Sequence, residues 1–343
     1  MAYDANKHLN SFHDDRVFVT QAMSATYRNR SEANRDRLKA GLEKDEEPHP
    51  LEHVEQGSYA MHTMVNSETE TSDIDDGAVF SREALKGDRG GDKLPYDAKE
   101  MVRKALASGT TFKNPPEVRS NCVRVYYNDG FHVDVPVYRS YEEGGKNVKE
   151  LASSEWVPSN PEDITDWFND QVTTKSPDTV KGRQMRCVVR LLKYWSKSRS
   201  SWNMPSGFVL SVLTNEAYQN GGWKERDDQA LLAVMRQIKN RVTYDEKVCR
   251  PVAPRDEITS NRTYPRIQKL RDELGSAISE LSKIERADCD ELMALKVFKS
   301  IFYTDYFDKR IKEIEDGGGG GNGKGAATPT QPIDKRGGIG QFA

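Results

Sequence analysis

The apolar positions near the start of the chain recur at helical spacing. Residues 4–45 contain few helix breakers and charges of both signs, and apolar residues from Phe12 to Met23 fall at helical intervals. The stretch that begins at Ser31 resembles a capping box without its acidic or amide partner, so we expect a helix break near this residue. The PHP run at 48–50 ends the region.

Short runs rich in valine, tyrosine and phenylalanine replace this pattern between residues 51 and 150. The runs are GAVF at 77–80, NCVRVYYND at 121–129 and GFHVDVPVY at 130–138. Asn128, Asp129 and Gly130 predict a hairpin turn between the last two runs. The segment DAKEMVRKALASG predicts a helix that ends at Gly109. We therefore expect an α+β lobe with at least three strands.

From about residue 160 to residue 315 the pattern is helical throughout. The segments are PEDITDWFNDQV, VKGRQMRCVVRLLKYWSKSR, SGFVLSVLTNEAYQ, DDQALLAVMRQIKNRV, YPRIQKLRDELGSAISELSKIE and DELMALKVFKSIFYTDYFDKRIKEIE. The five glycines after Asp316 predict a flexible tail, because glycine loses the most backbone entropy on ordering. The expected division is an α+β lobe with an N-terminal helix at 1–155, a helical lobe at 156–316 and a tail at 317–343.

Composition narrows the classes of function. The 343 residues include 51 Lys and Arg against 54 Asp and Glu, a net charge of −3. Binding to long nucleic acid, which usually needs a basic excess, is therefore not favoured. No run of about 18 apolar residues occurs, so we expect no membrane-spanning helix. The polar, acidic start of the chain is unlike a signal peptide and favours a cytoplasmic location.

The DIDD run concentrates negative charge at a predicted strand. Side chains two positions apart on a strand share a face, so Asp73 and Asp75 project together and Asp76 points away or begins a turn. Asp134 stands among valines and a proline in another strand, where a lone carboxylate is costly to bury. If these strands lie side by side, the three carboxylates converge. Two Mg²⁺ ions, with Mn²⁺ as a substitute, suit such a cluster of oxygen ligands.

Gly57 and Ser58 precede the acidic run by about fifteen residues. A glycine ahead of a helix lets backbone N–H groups approach phosphate oxygens, and the serine hydroxyl adds a donor. Each part also has a simpler interpretation: a chance GS pair, a solvated acidic turn at DIDD, and a strand-edge charge at Asp134. The ordered pattern of GS, DxD and a third Asp in an apolar strand is far more specific than any one part.

On these residues the sequence resembles the nucleotidyltransferases of the polymerase-β superfamily. More narrowly, it is similar to the bacterial cyclic-oligonucleotide synthases called CD-NTases, relatives of animal cyclic GMP-AMP synthase and 2′-5′ oligoadenylate synthetase. The resemblance implies that Asp73 and Asp75 ligate both metal ions. It implies that Asp134 completes the site and helps to activate the acceptor hydroxyl. The implied fold is a lobe with a mixed β-sheet, an oligoadenylate-synthetase-like helical lobe, and an active site in the cleft between them.

The helical lobe extends the resemblance through RQMRCVVRLLKYWSKSR and MPSGFVLSVLTNEAY. In the family, a lysine on one helix and a serine at the start of the next hold the donor triphosphate, and the matching positions are Lys193 and Ser206. The stem of Lys193 can lie along the core while its ammonium reaches the cleft. Ser206 follows Pro205 as a suitable N-cap, where anions are favoured. The full nucleotide-binding set that we expect is Gln56, Gly57, Ser58, Lys193 and Ser206.

The function that the resemblance implies is metal-dependent synthesis of a cyclic di- or trinucleotide second messenger from ATP, with other NTPs as further substrates and with release of pyrophosphate. Such messengers activate a downstream effector in bacterial antiphage (CBASS) signalling. The alternatives are a template-independent transferase that makes linear products on RNA or nucleotides, and a non-catalytic protein that acts through its tail. In some antiphage operons an accessory protein resembling ubiquitin-transfer enzymes joins the synthase C-terminus to a target, and here the Ala343 carboxylate would react.

Overall fold

The structure is a computed structural model that describes residues 3–66, 73–87, 89–109, 113–176 and 183–317. Its helices are α1 (Asn6–Phe12), α2 (Gln21–Lys44), α3 (Gly57–Ala60), α4 (Pro95–Ala107), α5 (Pro161–Lys175), α6 (Arg183–Lys197), α7 (Gly207–Gln219), α8 (Asp227–Tyr244), α9 (Tyr264–Leu281), α10 (Glu291–Phe302) and α11 (Asp308–Gly317). A π-helical turn (His13–Val17) follows α1, and a 3₁₀ turn (Ser282–Glu285) follows α9. The strands are β1 (Glu52–Gln56), β2 (Asp73–Ser81), β3 (Glu117–Val118), β4 (Val123–Tyr126), β5 (His132–Val135), β6 (Val137–Glu143), β7 (Lys146–Ala152) and β8 (Trp156–Pro158).

The eight strands form one mixed sheet with β2 at its centre. β1 pairs with one edge of β2 in the antiparallel sense, and β5 and β6 pair with it in the parallel sense. The register is the same before and after the interruption at Pro136, with Asp73 opposite His132 and Ala78 opposite Val137. Proline has no N–H to donate, so the ladder is interrupted there without a shift in register. The expected α+β class is confirmed.

The predicted turn joins β4 to β5. The Tyr127 N–H donates to the Phe131 carbonyl at 2.8 Å, and the Gly130 N–H donates to the Tyr127 carbonyl at 3.1 Å. Gly130 has a φ of 85°, which glycine adopts without steric cost. The turn sets the hairpin register, in which Arg124 lies opposite Asp134. The sequence prediction of a hairpin here is confirmed.

Helices α2 and α4 cover the sheet and bury its apolar face. They approach so closely that a Cβ on Gly41 would lie 2.1 Å from the Ala105 carbonyl oxygen, so only glycine fits at this point. The helix break expected near Ser31 is wrong, because α2 continues from Gln21 to Lys44. The hydroxyl of Ser31 is buried and donates to the Asp76 carboxylate at 2.6 Å, so it does not cap a helix end.

Helices α5 to α11 pack around α6, most of whose residues are buried. The segment expected to form one helix at 290–315 is two helices, because Tyr303 adopts a left-handed conformation with a φ of 50° and ends α10. The division into lobes at residue 155 stays a prediction. Helix α1 packs into the core of the helical lobe through Leu9 and Phe12. Among the described residues, no helix is both long and apolar enough to cross a membrane.

Candidate active site

A cleft of about 480 Å³ lies where the sheet meets the helical lobe. Its walls are formed by Gln56, Gly57, Ser58, Met61, Thr63, Met64, Val65, Asp73, Asp75, Tyr138, Leu151, Ser159, Asn160, Pro161, Ile164, Lys193, Lys197, Gly207, Phe208 and Arg250. Both lobes therefore contribute. Most of the residues that the sequence assigned to nucleotide binding line this one space.

The register between β2 and β5 brings four chemically active side chains to one face of the sheet. Asp73 lies opposite His132, and Asp75 lies opposite Asp134. Paired residues of neighbouring strands share a face, and so do residues two apart on one strand. One ligand atom from each of Asp73, His132 and Asp134 lies within 4.8 Å of the others. The convergence of carboxylates expected from the sequence is thus present in the structure.

Asp134 is held by a cation that the sequence interpretation did not include. Both of its oxygens accept hydrogen bonds at 2.7 Å from Arg124 on β4, and its side chain is largely buried. A bidentate arginine compensates a buried carboxylate in charge and in geometry. Counting outward from the predicted turn on both strands would have paired these residues, so the sequence did contain a signal for Arg124.

Asp75 retains excess negative charge around it. Burial, followed by the neighbouring charges of Asp73 and Asp134, raises the pKa of its carboxyl to about 7, against the opposing effect of Arg124. A divalent cation would relieve this repulsion, and carboxylate oxygens are its usual ligands. In addition, Nε2 of His132 is buried and has no hydrogen-bond partner within the part of the chain that the structure describes. The residues present therefore fit a divalent cation.

Asp76 lies outside this cluster. It sits on the opposite face of β2, where Arg35 donates to its two oxygens at 2.8 and 2.7 Å and Ser31 adds a third hydrogen bond. Arg35 therefore compensates the negative charge of Asp76. The sequence interpretation that Asp76 points away from Asp73 and Asp75 agrees with the structure.

The segment that begins at Gly57 abuts the acidic cluster. Gly57 has a φ of 69°, and a Cβ at this position would lie 2.1 Å from Oδ2 of Asp75. Glycine is therefore required both by the backbone and by the carboxylate beside it. Ser58 lines the cleft next to it. Gln56 accepts a hydrogen bond from the Tyr138 hydroxyl at 3.0 Å, and its amide nitrogen has no partner among the described residues.

Lys193 reaches the cleft from α6, as the sequence suggested. Its ammonium is buried and donates to the carbonyl and the hydroxyl of Thr63 at 3.2 and 2.8 Å. Burial lowers the pKa of Lys193 to about 7, with smaller contributions from the charges of Lys197 and Arg190. A buried cation whose described hydrogen-bond partners are both neutral is well suited to bind a phosphate.

Ser206 lies at the edge of the cleft and acts as the N-cap of α7, accepting a hydrogen bond from the Val209 N–H at 3.4 Å. Its side chain is exposed, and the next two residues, Gly207 and Phe208, form the wall. The triphosphate-binding roles of Lys193 and Ser206 stay predictions.

Arg250, which lines the cleft from the segment after α8, was missed, because nothing in its surrounding sequence marks it. Ala343 and the rest of the expected tail lie outside the described residues.

Comparison with known proteins agrees with this geometry. Residues 51–138 match the family model described as "Cyclic GMP-AMP synthase DncV-like, nucleotidyltransferase domain". CdnC of E. coli MS115-1, solved with ATP, is 17% identical, with a TM-score of 0.67 over 88% of this chain and 98% of that one. Vibrio cholerae DncV, a cyclic AMP-GMP synthase solved with the linear intermediate 5′ pppA(3′,5′)pG, is 15% identical, with a TM-score of 0.69 over 88% and 96%. CdnG of Bradyrhizobium diazoefficiens, solved with GTP, is 16% identical, with a TM-score of 0.63 over 90% and 96%.

Residues 51–138 thus match a nucleotidyltransferase domain, and Gly57, Ser58, Asp73 and Asp75 within this range line the cleft. The described chain has the two-lobe fold of the bacterial CD-NTases. The resemblance drawn from the sequence is confirmed, as is the fold that it implied.

Proposed function

We propose that this protein joins nucleoside triphosphates into a cyclic di- or trinucleotide. The observation that carries the proposal is the meeting of Asp73, Asp75 and Asp134 on one sheet face beside a cleft whose walls include Ser58 and Lys193. Carboxylates and phosphate-binding donors on facing walls are the arrangement that phosphoryl transfer needs, because its catalysis depends on positioning and electrostatics.

In the proposed reaction a ribose hydroxyl of one nucleotide attacks the α-phosphorus of a second. A bond forms from that oxygen to phosphorus, the bond to pyrophosphate breaks, and the hydroxyl proton passes to a carboxylate or water. Asp134, oriented by Arg124, accepts the hydrogen bond of the attacking hydroxyl. Ser58 and Lys193 bind the triphosphate. Asp73, Asp75 and Asp134 would hold a divalent cation, which would supply charge neutralisation for the phosphates. A second transfer within the same cleft closes a dinucleotide ring, and a third closes a trinucleotide ring.

The size of the cleft supports small substrates. Its volume of about 480 Å³ falls in the usual range for small-molecule sites, roughly 300–1,000 Å³. The near-neutral charge of the chain likewise does not favour a long growing strand. ATP is the substrate that we expect, with other NTPs as partners. V. cholerae DncV, a protein of the same fold, was solved with a linear dinucleotide intermediate.

Mass spectrometry tests this function. The purified chain is incubated with all four NTPs and Mg²⁺ or Mn²⁺, and the products are treated with phosphatase before analysis. The control is the double variant Asp73→Ala/Asp75→Ala. A phosphatase-resistant cyclic species made only by the unaltered protein supports the proposal and identifies the bases and the ring size. Linear, phosphatase-sensitive chains would instead favour a transferase that extends RNA or nucleotides.

The proposed setting is CBASS antiphage signalling in the cytoplasm, with the cyclic product activating an effector. We also propose a role for the tail in this setting: an accessory enzyme would join the carboxylate of Ala343 to a target. Removing residues 318–343 should leave product formation intact in the purified protein and abolish conjugation in cells that contain the accessory enzyme. Conjugation that survives in a chain without residues 318–343 would contradict this role for the tail.

A further inference from the structure

His132 carries a buried ring nitrogen without a partner. Its Nε2 is shielded from solvent and makes no hydrogen bond within the described part of the chain. The side chain is 12% exposed, and the nearest carboxylate oxygen, Oδ2 of Asp73, is 3.7 Å away. A buried polar atom without a partner costs free energy, so native structures usually supply one.

Among the described residues, no other polar contact explains the position of His132. The ring of Tyr126 lies 6.4 Å away between centroids, and the hydroxyl of Tyr126 donates to Glu117 instead. Arg124, which is near in the hairpin, uses its donors on Asp134. Nε2 of His132 thus lies near the carboxylates of Asp73 and Asp134 and has no hydrogen-bond partner in the part of the chain that the structure describes.

The register fixes which groups His132 faces. It lies opposite Asp73 on the neighbouring strand and two residues before Asp134 on its own strand, so all three share a face. Their ligand atoms lie within 4.8 Å of one another. Two ligands on opposite sides of one ion with bonds of about 2.0–2.2 Å are roughly 4 Å apart, so the cluster already approaches the size of one coordination site.

We propose that Nε2 of His132 ligates the divalent cation held by Asp73 and Asp134, and that this nitrogen makes the site select Mn²⁺ over Mg²⁺. The inference rests on the proposed function only in that both use a cation at this cluster. Mg²⁺ takes oxygen ligands almost exclusively and keeps much of its water, whereas imidazole suits divalent transition metals. Two carboxylates and one imidazole therefore form a donor set that accepts Mn²⁺ more readily than Mg²⁺.

Electron paramagnetic resonance with Mn²⁺ as the probe tests the inference without relying on activity. The full-length, metal-free protein is titrated with Mn²⁺, and electron spin echo envelope modulation then reports any ¹⁴N nucleus bonded to the ion. We expect ¹⁴N modulation in the unaltered protein and its replacement by ¹⁵N coupling when only the histidines are labelled. This measurement requires no variant, so it holds even if a substitution unfolds the chain.

A matched pair of variants assigns the nitrogen. His132→Gln should abolish the modulation and weaken Mn²⁺ binding by about tenfold or more. Substitutions of residues that only contact the metal ligands already cause losses of this size, so the loss of a ligand should cost at least as much. Mg²⁺ binding, measured by competition against Mn²⁺, should be nearly unchanged. His53→Gln is the control, because His53 also has an unpartnered buried ring nitrogen but lies on β1, opposite Ala78. It should keep both the modulation and the affinity.

Three results would overturn the inference: no saturable Mn²⁺ binding, bound Mn²⁺ without histidine nitrogen coupling, or coupling that survives in His132→Gln. Product assays on the same samples separate this inference from the proposed function. If cyclic product forms without nitrogen coupling, the proposed synthase function stands and His132 is not a ligand of the cation. If nitrogen coupling is observed but no product forms, His132 is a ligand of the cation and the proposed reaction is wrong.

Discussion

At the scale of single residues, Asp75 is a carboxyl group whose ionisation the fold opposes. Its pKa is raised to about 7 by burial and by Asp73 and Asp134. Because the folded-state pKa lies above the ordinary value of about 3.9, protonated Asp75 favours folding. This stabilisation is complete below about pH 4 and is lost as the pH rises through 7.

Asp75→Asn mimics the protonated side chain at every pH. In metal-free protein we expect it to raise the unfolding temperature by roughly 2–4 °C at pH 8, the shift that about 1 kcal/mol causes in a large domain, and to have little effect at pH 4. Differential scanning calorimetry measures both. Asp76→Asn is the control, since it weakens the buried pair with Arg35 and should lower the unfolding temperature at both pH values. An equal effect of Asp75→Asn at both pH values would contradict this assignment.

Gly57 is subject to two constraints, a positive φ and a nearby carboxylate, whereas Gly109 is subject only to the first. Gly57→Ala must adopt a φ near 69° and also place a Cβ against the Asp75 carboxylate. Gly109 has nearly the same φ, 68°, but no described atom lies within 4 Å of a Cβ there. Urea unfolding should show a loss of about 1–2 kcal/mol for Gly109→Ala and clearly more for Gly57→Ala. Equal losses would show that the contact with Asp75 carries no energetic cost.

At the scale of elements, Arg190 connects α6 to the segment that carries Ser58. Its guanidinium is buried, donates to the His62 carbonyl at 2.5 Å and lies 4.8 Å from the ring of Phe18. The His62 carbonyl belongs to the stretch between Ser58 and Thr63, whose ends are joined by a backbone hydrogen bond of 2.8 Å. We therefore expect Arg190 to be a positioning residue for the wall of the cleft that carries Ser58.

Arg190→Met keeps the length of the side chain and removes its donors. We expect kcat/KM for NTP to fall by roughly 10–100-fold, because displacing a positioned group by about 1 Å has effects of this size. Arg190→Lys should recover part of the loss. Arg186→Met is the matched control one turn earlier on α6, where the guanidinium donates to Asn169 instead. If both methionine variants lose activity equally, the loss reflects the charge of α6 and not the contact with His62.

Elements with a strong local signal were predictable from the sequence. The Asn-Asp-Gly turn specifies the β4–β5 hairpin, and the alternation around Asp134 places it on one face with His132. By contrast, the continuous α2 depends on the Ser31 contact with Asp76, which comes from a distant strand. The helix end at Tyr303 depends on a left-handed residue that no glycine announces. Hydrophobic periodicity in the sequence therefore does not predict long-range contacts or unusual backbone angles.

At the scale of the whole molecule, the cleft depends on residues from both lobes. Lys193 and the three aspartates were identifiable because each lies in a recognisable pattern. Arg250 was not, because it reaches the cleft from a segment with no regular structure whose path depends on the packing of the helical lobe. The side of the site formed by regular elements could therefore be derived from sequence, and the side formed by loops could not.

We expect Lys193 to make nucleotide binding sensitive to pH. Its pKa is lowered to about 7 in the free protein, and a bound triphosphate would raise it by supplying opposite charge. NTP affinity should therefore be highest below pH 7 and fall as the pH rises above it. Calorimetry in buffers of different ionisation enthalpy should detect proton uptake on binding at pH 8. The variant Lys193→Met should bind more weakly and lose this uptake. Proton uptake that persists in the variant would assign it to another group.

The segment from Gly57 to Asn66 belongs to both cores at once. Met61 and Val65 are buried in the helical core, while Met64 is buried in the core of the sheet. Any rotation of one lobe against the other must therefore shear the stretch that bears Ser58. We therefore expect a nucleotide bound to this stretch to constrain the angle between the lobes, and with it the space that remains for the next nucleotide. The consequence is kinetic: substrates should enter in a compulsory order, with the donor site filled before the acceptor site takes its final form.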